Sequence, residues 1–203
     1  AAEQALTSQQ HEPSGNLRIT APVLFGQLHL TPIITSFIEQ YRKVNVELLL
    51  LDRVVNLVEE GIDVALRIGE LADSSLVAIP AGHIRRVVCA SPKYLKQVGV
   101  PKHPAELAEY DCVRTSELTP GQTWQFFEKG RSLQVHVSGP FVCNQVAASI
   151  DACVSGLGFG MFLSYQVQHL LAQKKLTLVL ESFEPAPLPI SVVYPHAKLL
   201  STR

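Results

Sequence analysis

The chain has 203 residues, of which 47% are hydrophobic and 17% charged, so it can bury one sizeable core or two small ones. Its formal net charge of -1 leaves no surplus of lysine and arginine for phosphates, which argues against nucleic-acid binding by this chain alone. Apolar runs are too short for a membrane helix, and residues 1–15 lack the apolar centre of a secretory signal, so we expect a soluble chain without an export signal.

Strands and helices alternate in the first third of the sequence. The run Val46–Leu51 is apolar almost throughout, which is typical of a strand covered on both faces, and Gly61 stands where a helix end is expected. The alternation predicts a right-handed parallel unit. Its elements are a strand at 17–21, an amphipathic helix from Leu30 to Tyr41 with Pro32 near its start, a strand at 46–51, a helix at 53–60 and a strand at 62–68.

The rest of the sequence predicts a second set of strands and helices. Ser91 and Pro92 are a typical N-cap and first helical residue, and Pro104 repeats the pattern. Alternating apolar residues predict a hairpin around Lys129-Gly130. In chain order the elements are a strand at 85–90, two short helices after 91 and 103, a strand at 111–115, the hairpin, a helix at 146–157, a strand at 159–163, a helix from the capping Ser164 to Gln173, and strands at 176–181 and 189–194.

Two α/β halves account for these elements more economically than one. We place subdomain I at 15–83 plus 182–203 and subdomain II at 84–181. The chain then crosses between the halves twice, and such a double crossover makes a hinge with a cleft.

The residues that often carry chemistry form no catalytic or metal-binding pattern. Cys89, Cys112, Cys143 and Cys153 lie within or beside apolar runs without CxxC spacing, which favours reduced core thiols and a cytoplasmic protein, with a redox switch as the open alternative. The seven histidines are dispersed, and the glycines of GLGFG at 156–160 follow a helix instead of preceding one. We expect no metal, no cofactor and no enzymatic activity.

Asp52 and Arg67 follow or end apolar strands. Because ligands of open parallel sheets bind outside the carboxyl ends of the strands, Asp52, Arg67 and the loop after the first strand are predicted to gather at one edge. One interpretation is structural: Asp52 caps the helix at 53–60 and Arg67 forms an ion pair. The other is that Arg67 binds a carboxylate or another polar group of a small ligand, with Asp52 orienting it.

The second half supplies its own strand ends. Thr115 ends one strand, Trp124 opens the hairpin, and Asn144 stands between a strand and a helix, while core packing of Trp124 and helix capping by Asn144 remain alternatives. Apolar loop residues such as Phe25 would line the cleft, while the few polar groups would select the ligand.

An ordered set of motifs runs from Gly15 to about Tyr194 and comprises GNLRITAPVLFG, LLDRVVNLVEEGIDVALRIGELADSSLVA, RRVVCASPKYL, VSGPFVCN and GLGFGMFLSYQV. This ordered set resembles the C-terminal effector-binding domain of LysR-type transcriptional regulators. Asn56 and Leu66 replace the aspartate and isoleucine that are more usual in the subgroup it resembles most. The resemblance implies an α/β fold of the type II periplasmic-binding-protein kind, with two Rossmann-like subdomains joined by two crossover strands. The effector-binding residues that it implies are Pro22, Val23, Leu24, Phe25, Asp52, Arg67, Thr115 and Asn144, and we add Trp124 on its placement alone.

The resemblance also implies a partner set. A small-molecule effector would bind in the cleft, residues 1–14 would be the remnant of a linker helix, and DNA would be contacted only through a helix-turn-helix missing from this chain. Family members form dimers or tetramers, and the helix at 30–43 is our first candidate for that surface, with core packing of this helix as the favoured alternative. The alternative is a solute-binding receptor of a transport system with the same fold.

Overall fold

Two five-stranded sheets and one hairpin contain the strands of this computed structural model, which describes residues 12–71, 76–116 and 122–196. The strands are β1 Ser14–Ala21, β2 Lys43–Leu50, β3 Val64–Ile68, β4 Leu76–Ile84, β5 Arg86–Ala90, β6 Asp111–Thr115, β7 Thr123–Glu128, β8 Arg131–His136, β9 Ser138–Cys143, β10 Phe159–Leu163, β11 Thr177–Val179 and β12 Leu188–Pro195. The α-helices are α1 Val23–Phe25, α2 Thr31–Gln40, α3 Pro92–Val98, α4 Val146–Val154 and α5 Ser164–Ala172. A π-helical turn covers Gly26–Leu30, and 3-10 helices cover Pro104–Glu109 and Glu181–Phe183.

The chain divides into two compact units. The first comprises Ala1–Leu66, Asp73–Ala78 and Val192–Arg203, and the second comprises Arg67–Ala72 and Ile79–Ser191. The predicted linker-helix remnant at 1–14 falls, up to residue 11, outside the described residues.

The first sheet has the strand order β2-β1-β3-β12-β4. β1 pairs with β2 in parallel along its whole length, from Ser14 opposite Lys43 to Ala21 opposite Leu50, and β3 is parallel to β1. The predicted parallel arrangement of these three strands is therefore confirmed. It brings the carboxyl ends of β1 and β2 side by side, which positions the residues that follow them.

The helix after β1 begins earlier than predicted. Helical structure starts at Val23 and continues through the π-helical turn into α2, so residues 22–26 are not a loop. Pro32 lies near the start of α2, directly after the π-helical turn. A proline lacks the N–H of a regular helical bond and crowds the preceding turn, and the wider π turn accommodates this local disruption.

The predicted helix at 53–60 is wrong. The structure has only turns at residues 57–61 between β2 and β3. Asn56 Oδ1 accepts bonds from the backbone N–H groups of Val58 at 3.1 Å and Glu59 at 3.4 Å. A side chain that takes these N–H groups competes with helix formation, and the β-branched valines at 54, 55 and 58 add little helix propensity.

The sequence analysis also missed β4. This strand lies at one end of the strand order of the first sheet and is largely exposed, so it lacks the apolar alternation of a half-buried strand. Pro80 and Gly82 interrupt its sequence, and such residues are tolerated in strands mainly at sheet edges.

The second sheet has the strand order β11-β5-β10-β6-β9, with β10 and β6 parallel and β5 antiparallel to both β10 and β11. One of its faces packs against α3 and the hairpin β7–β8 in a core that includes Trp124, Phe126, Phe159 and Met161. The hairpin is confirmed, and its turn residues Lys129 and Gly130 have φ values of 49° and 77°, as a tight two-residue hairpin turn requires.

The helix starts of the second unit agree with the sequence only in part. Ser91 Oγ caps α3 by accepting from the N–H of Tyr94, as predicted. Residues 104–109, predicted as a helix, form a 3-10 helix. Ser164 is the first helical residue of α5 and not its cap, because Leu163 holds the N-cap position. The Leu163 N–H donates to Gln166 Oε1 at 2.9 Å, which satisfies this backbone donor at the start of the helix.

Candidate functional site

The carboxyl ends of β1 and β2 bring Val23 and Asp52 together. The N–H of Val23 donates to Asp52 Oδ1 at 3.0 Å, and the N–H of Leu51 donates to the Ala21 carbonyl at 2.9 Å. Asp52 thus satisfies a free N–H at the start of the helical segment that follows β1, while Pro22, the N-cap residue, makes no side-chain cap. The prediction that Asp52 caps a helix at 53–60 is wrong; Asp52 instead accepts from the first residue of α1.

The second oxygen of Asp52 is buried. No hydrogen-bond partner of Oδ2 is found among residues 12–71, 76–116 and 122–196. Buried carboxylate oxygens are normally paired, so this atom can accept a hydrogen bond from a hydroxyl or amino group of a ligand.

The four residues before Gly26 form a half-buried, mostly apolar surface beside Asp52. Pro22, Val23, Leu24 and Phe25 are all half-buried. The Phe25 ring stacks at a tilt on the His29 ring, with 4.9 Å between centroids. This surface can contact the apolar part of a small molecule.

Arg67 is the penultimate residue of β3 and is half-buried. The turn after it is fixed because the Gly69 N–H donates to the Pro189 carbonyl at 2.8 Å. Arg67 belongs to the second unit by its backbone contacts, whereas Asp52 belongs to the first.

Thr115 and Asn144 come together at the carboxyl ends of neighbouring parallel strands. Thr115 pairs in register with Cys143, the residue before Asn144, and the Ser116 N–H donates to the Cys143 carbonyl at 3.0 Å. Thr115 is buried and Asn144 is exposed. Asn144 does not cap α4, whose N-cap residue is Gln145 and which has no side-chain cap.

The structure places Trp124 in the core of the second unit. Its side chain is 1% exposed and belongs to the same cluster as Phe126 and Phe159. This is the core-packing alternative considered for it, so Trp124 is left out of the site proposed below.

The sequence analysis did not include Cys143, which lies beside Thr115 and Asn144 at the carboxyl ends of β6 and β9. Its half-buried sulfur accepts a bond from the Gln145 N–H at 3.3 Å, at the start of α4. Its position directly before Asn144 at a strand end was the signal that could have identified it.

Three of the four cysteines, Cys89, Cys112 and Cys153, are buried in the second unit, where the sequence predicted core thiols. Burial, followed by the nearby Asp111 carboxylate, raises the pKa of Cys112 to about 12. A hydrogen bond with Cys153, together with burial, raises the pKa of Cys89. Thiols with raised pKa values stay protonated at neutral pH and are poor nucleophiles.

Within the described parts of the chain, no group of three or more histidine, cysteine or acidic side chains is arranged to hold a metal ion. Across the same residues, none of the helices has the length and apolarity needed to span a bilayer.

Comparison with known proteins identifies the family. The sequence profile of the LysR substrate binding domain matches residues 10–203. The chain is 32% identical over 187 residues to the probable HTH-type transcriptional regulator LtrA of Klebsiella pneumoniae, covering 91% of this chain and 60% of LtrA. It therefore spans about three fifths of the length of the curated relatives it matches.

Solved structures show the same fold. The CrgA regulatory domain of Neisseria meningitidis, a LysR-type transcriptional regulator, superposes with a TM-score of 0.80 at 29% identity, covering 94% of each chain. Full-length AphB, a Vibrio cholerae virulence activator of the same family, superposes with a TM-score of 0.82 at 27% identity, covering 93% of this chain and 64% of AphB. These regulatory domains have the type II periplasmic-binding-protein fold, as the family resemblance implied.

The relatives are transcriptional regulators and not enzymes, and they favour the regulator over the transport receptor considered as its alternative. The chain belongs to the LysR substrate-binding domain family and is an effector-binding regulatory domain of the LysR type.

Proposed function

We propose that this domain recognises a small polar effector through residues at the carboxyl ends of its strands. The observation that carries the proposal is Asp52: one oxygen is fixed by Val23, and the other is buried without a partner among the described residues. A ligand that donates a hydrogen bond to Oδ2 would remove the free-energy cost of leaving that oxygen unpaired. The proposed effector-binding residues are Pro22, Val23, Leu24, Phe25, Asp52, Arg67, Thr115 and Asn144.

Each group would have a distinct role in binding. Asp52 would accept from the effector, and Arg67 would offer its planar guanidinium to a carboxylate or another acceptor. Thr115 and Asn144 would add hydrogen bonds, while the surface from Pro22 to Phe25 would contact the apolar part of the effector.

In the whole protein, effector binding would shift an equilibrium between arrangements of the two subdomains, which we propose to be 15–83 plus 182–203 and 84–181. Reversing a 99:1 bias takes about 5.5 kcal/mol of differential binding free energy. The output would pass to DNA through a helix-turn-helix elsewhere in the protein, which would act in the cytoplasm without enzymatic activity.

The regulator would work as a homodimer or homotetramer. Leu28 in the π-helical turn and Ile33 in α2 are 47% and 64% exposed. Large apolar side chains exposed close together support an interaction surface on this helical segment.

Asp52→Asn tests the effector site with little change in structure. Asparagine can still accept from Val23 through its one carbonyl oxygen, but it presents an NH2 donor where Oδ2 was. After a thermal-shift screen of small metabolites, calorimetric titration of the best ligand should show at least tenfold weaker binding to Asp52→Asn and to Arg67→Met.

Asp151→Asn is the matched control, because Asp151 is an exposed carboxylate on α4 and its removal should leave the Kd unchanged. Unaltered affinity in both Asp52→Asn and Arg67→Met, with circular dichroism showing intact folding, would rule out this site.

A further inference from the structure

The two connections between the sheets meet at Arg85. Arg85 is the single residue between β4 of the first sheet and β5 of the second, and residues 180–187 lead from β11 of the second sheet back to β12 of the first. Arg85, Glu181 and Glu184 all belong to the second unit. A bond among these three side chains thus joins the outgoing connection to the returning one within a single unit.

Arg85 binds both acidic residues of the returning connection. Its Nε donates to Glu184 Oε2 at 2.7 Å, and one of its NH2 groups donates to Glu184 Oε1 at 2.7 Å and to Glu181 at 3.3 Å. Such a two-pronged contact fixes the orientation of the guanidinium, which a contact through a single atom does not. We call these three side chains the crossover clasp.

The Glu184 end of the clasp is protected from solvent. The Glu184 side chain is 15% exposed, against 47% for Arg85 and 57% for Glu181. Exposed ion pairs contribute little because water and salt screen them, whereas low exposure and paired geometry reduce that screening. The bond to Glu184 is therefore the one that carries the restraint, and the bond to Glu181 adds little.

Both partners of this bond stand on backbone that is anchored in the second unit. The Arg85 carbonyl accepts from the Ser164 N–H at 2.9 Å. On the returning connection, Phe183 packs against the core cluster, and its ring meets the His103 ring edge-on with 5.2 Å between centroids. The clasp therefore ties together two segments that cannot drift far by themselves.

Little free chain is left between the clasp and the first sheet. β12 begins at Leu188, so only residues 185–187 separate it from Glu184, and the rings of Pro185 and Pro187 restrict φ at two of these three positions. With the clasp closed, the returning connection can bend only over this short proline-rich piece.

We propose that the crossover clasp is a conformational restraint, which makes the two connections bend as one hinge and so limits the arrangements that the two subdomains can adopt. Connections that bend separately would also let the subdomains twist. Because an effector acts by shifting populations among such arrangements, the clasp would set how many of them compete with the bound one. The inference rests on the proposed movement of the subdomains and is independent of which residues bind the effector.

Double electron–electron resonance on the 203-residue chain measures this range of arrangements without an effector. Spin labels are placed at one exposed helical position in each unit, by Glu39→Cys and Asp151→Cys, in a Cys143→Ser background that leaves only buried native thiols. Dilution with unlabelled chain restricts the signal to distances within one molecule. We expect Arg85→Gln and Glu184→Gln each to widen the distance distribution about twofold, because each breaks the two-pronged contact.

The exposed ion pair of Lys43 and Glu12 supplies the matched control. Its N–O distance is 2.8 Å, close to that of the clasp, but it joins the start of β2 to the residues before β1. Lys43→Gln should therefore leave the width unchanged. Glu181→Gln should widen the distribution little, since the Glu181 side chain is the more exposed partner of Arg85.

Reversing the pair separates loss of the clasp from general loss of folding. Arg85→Glu combined with Glu184→Arg forms the ion pair in the opposite sense, and it should narrow the distribution again relative to Arg85→Glu alone.

Two outcomes would overturn the proposal. One is a distribution of native width in both Arg85→Gln and Glu184→Gln while circular dichroism shows intact folding, and the other is equal widening in Lys43→Gln. Neither outcome bears on the effector site, which the titration of Asp52→Asn tests separately. Unaltered effector affinity in Asp52→Asn, with a widened distribution in Arg85→Gln, would remove that site and keep the clasp.

Discussion

Arg18 of the first unit and two arginines of the second unit, Arg86 and Arg114, have opposite surroundings. In the first unit the Arg18 guanidinium donates to the Glu60 carbonyl and forms an ion pair with Glu47 at 2.7 Å, while the Arg18 backbone N–H donates to Asp63. In the second unit Arg86 and Arg114 have no counterpart of this kind among the described residues, and the neighbouring core is dominated by Trp124 and other large apolar side chains.

The difference shows how each unit is held together. Without a regular helix between β2 and β3, the first unit fixes the irregular segment 51–63 by single bonds from Arg18, Asp52 and Asn56. The second unit is stabilised by burial under the hairpin β7–β8. We therefore expect the second unit to be sensitive to lost volume and the first to the loss of individual hydrogen bonds.

The largest expected effect is that of Trp124→Ala. Removing a fully buried indole should lower the free energy of unfolding by about 4 kcal/mol, through lost burial and the cavity left behind. Urea unfolding followed by circular dichroism measures it, and Val142→Ala, at a half-exposed position, is the control. A loss below about 1 kcal/mol would mean that the core does not dominate the stability of the second unit.

An intermediate effect is expected from pH acting on Cys112. Its pKa is about 12 in the folded chain, above the ordinary value of 9.0, so the folded state keeps a proton that the unfolded state releases. The contribution of this thiol is complete below about pH 9 and is lost as pH rises towards 12, at up to about 1.4 kcal/mol per pH unit.

Urea unfolding at a series of alkaline pH values should therefore show a shallower decline of stability in Cys112→Ala than in the native chain. Equal slopes in the two proteins would show that this thiol does not couple ionisation to folding.

The smallest effect concerns the first unit. Asn56→Ala removes two hydrogen bonds to the turn at 57–61 and should cost about 0.5 to 1 kcal/mol. Amide hydrogen exchange should increase in this turn and in β3, and not in β5 or β10. Val58→Ala, at an exposed position of the same turn, is the control and should change amide exchange little. A similar increase in Val58→Ala would show that the hydrogen bonds of Asn56 are not what stabilises the turn.

The sequence predicted the elements whose cause is local. The apolar run of β2, the cap at Ser91 and the turn at Lys129-Gly130 each follow from neighbouring residues, and the structure has all three. The family resemblance supplied the fold of both units.

The features that sequence analysis missed depend on contacts between distant residues, or on side chains that compete with the backbone for hydrogen bonds. The hydrogen bond from Val23 to Asp52 joins residues 29 positions apart, so no local sequence pattern predicts it. The segment after Asp52 has the apolar spacing of a helix, but the side chain of Asn56 binds the backbone that a helix would use. Likewise, a run such as RRVVCA predicts a strand without showing that Arg85 has carboxylate partners and that Arg86 has none among residues 12–71, 76–116 and 122–196.

Pro80 in β4 bears on how this protein behaves when it is concentrated. β4 lies at one end of the first sheet, where an unpaired row of backbone N–H and carbonyl groups could template an added strand from another molecule. Proline offers no N–H at the middle of that row, and Gly82 adds a residue of low strand propensity. Pro80 thereby makes this edge strand a poorer template for strand addition from another molecule.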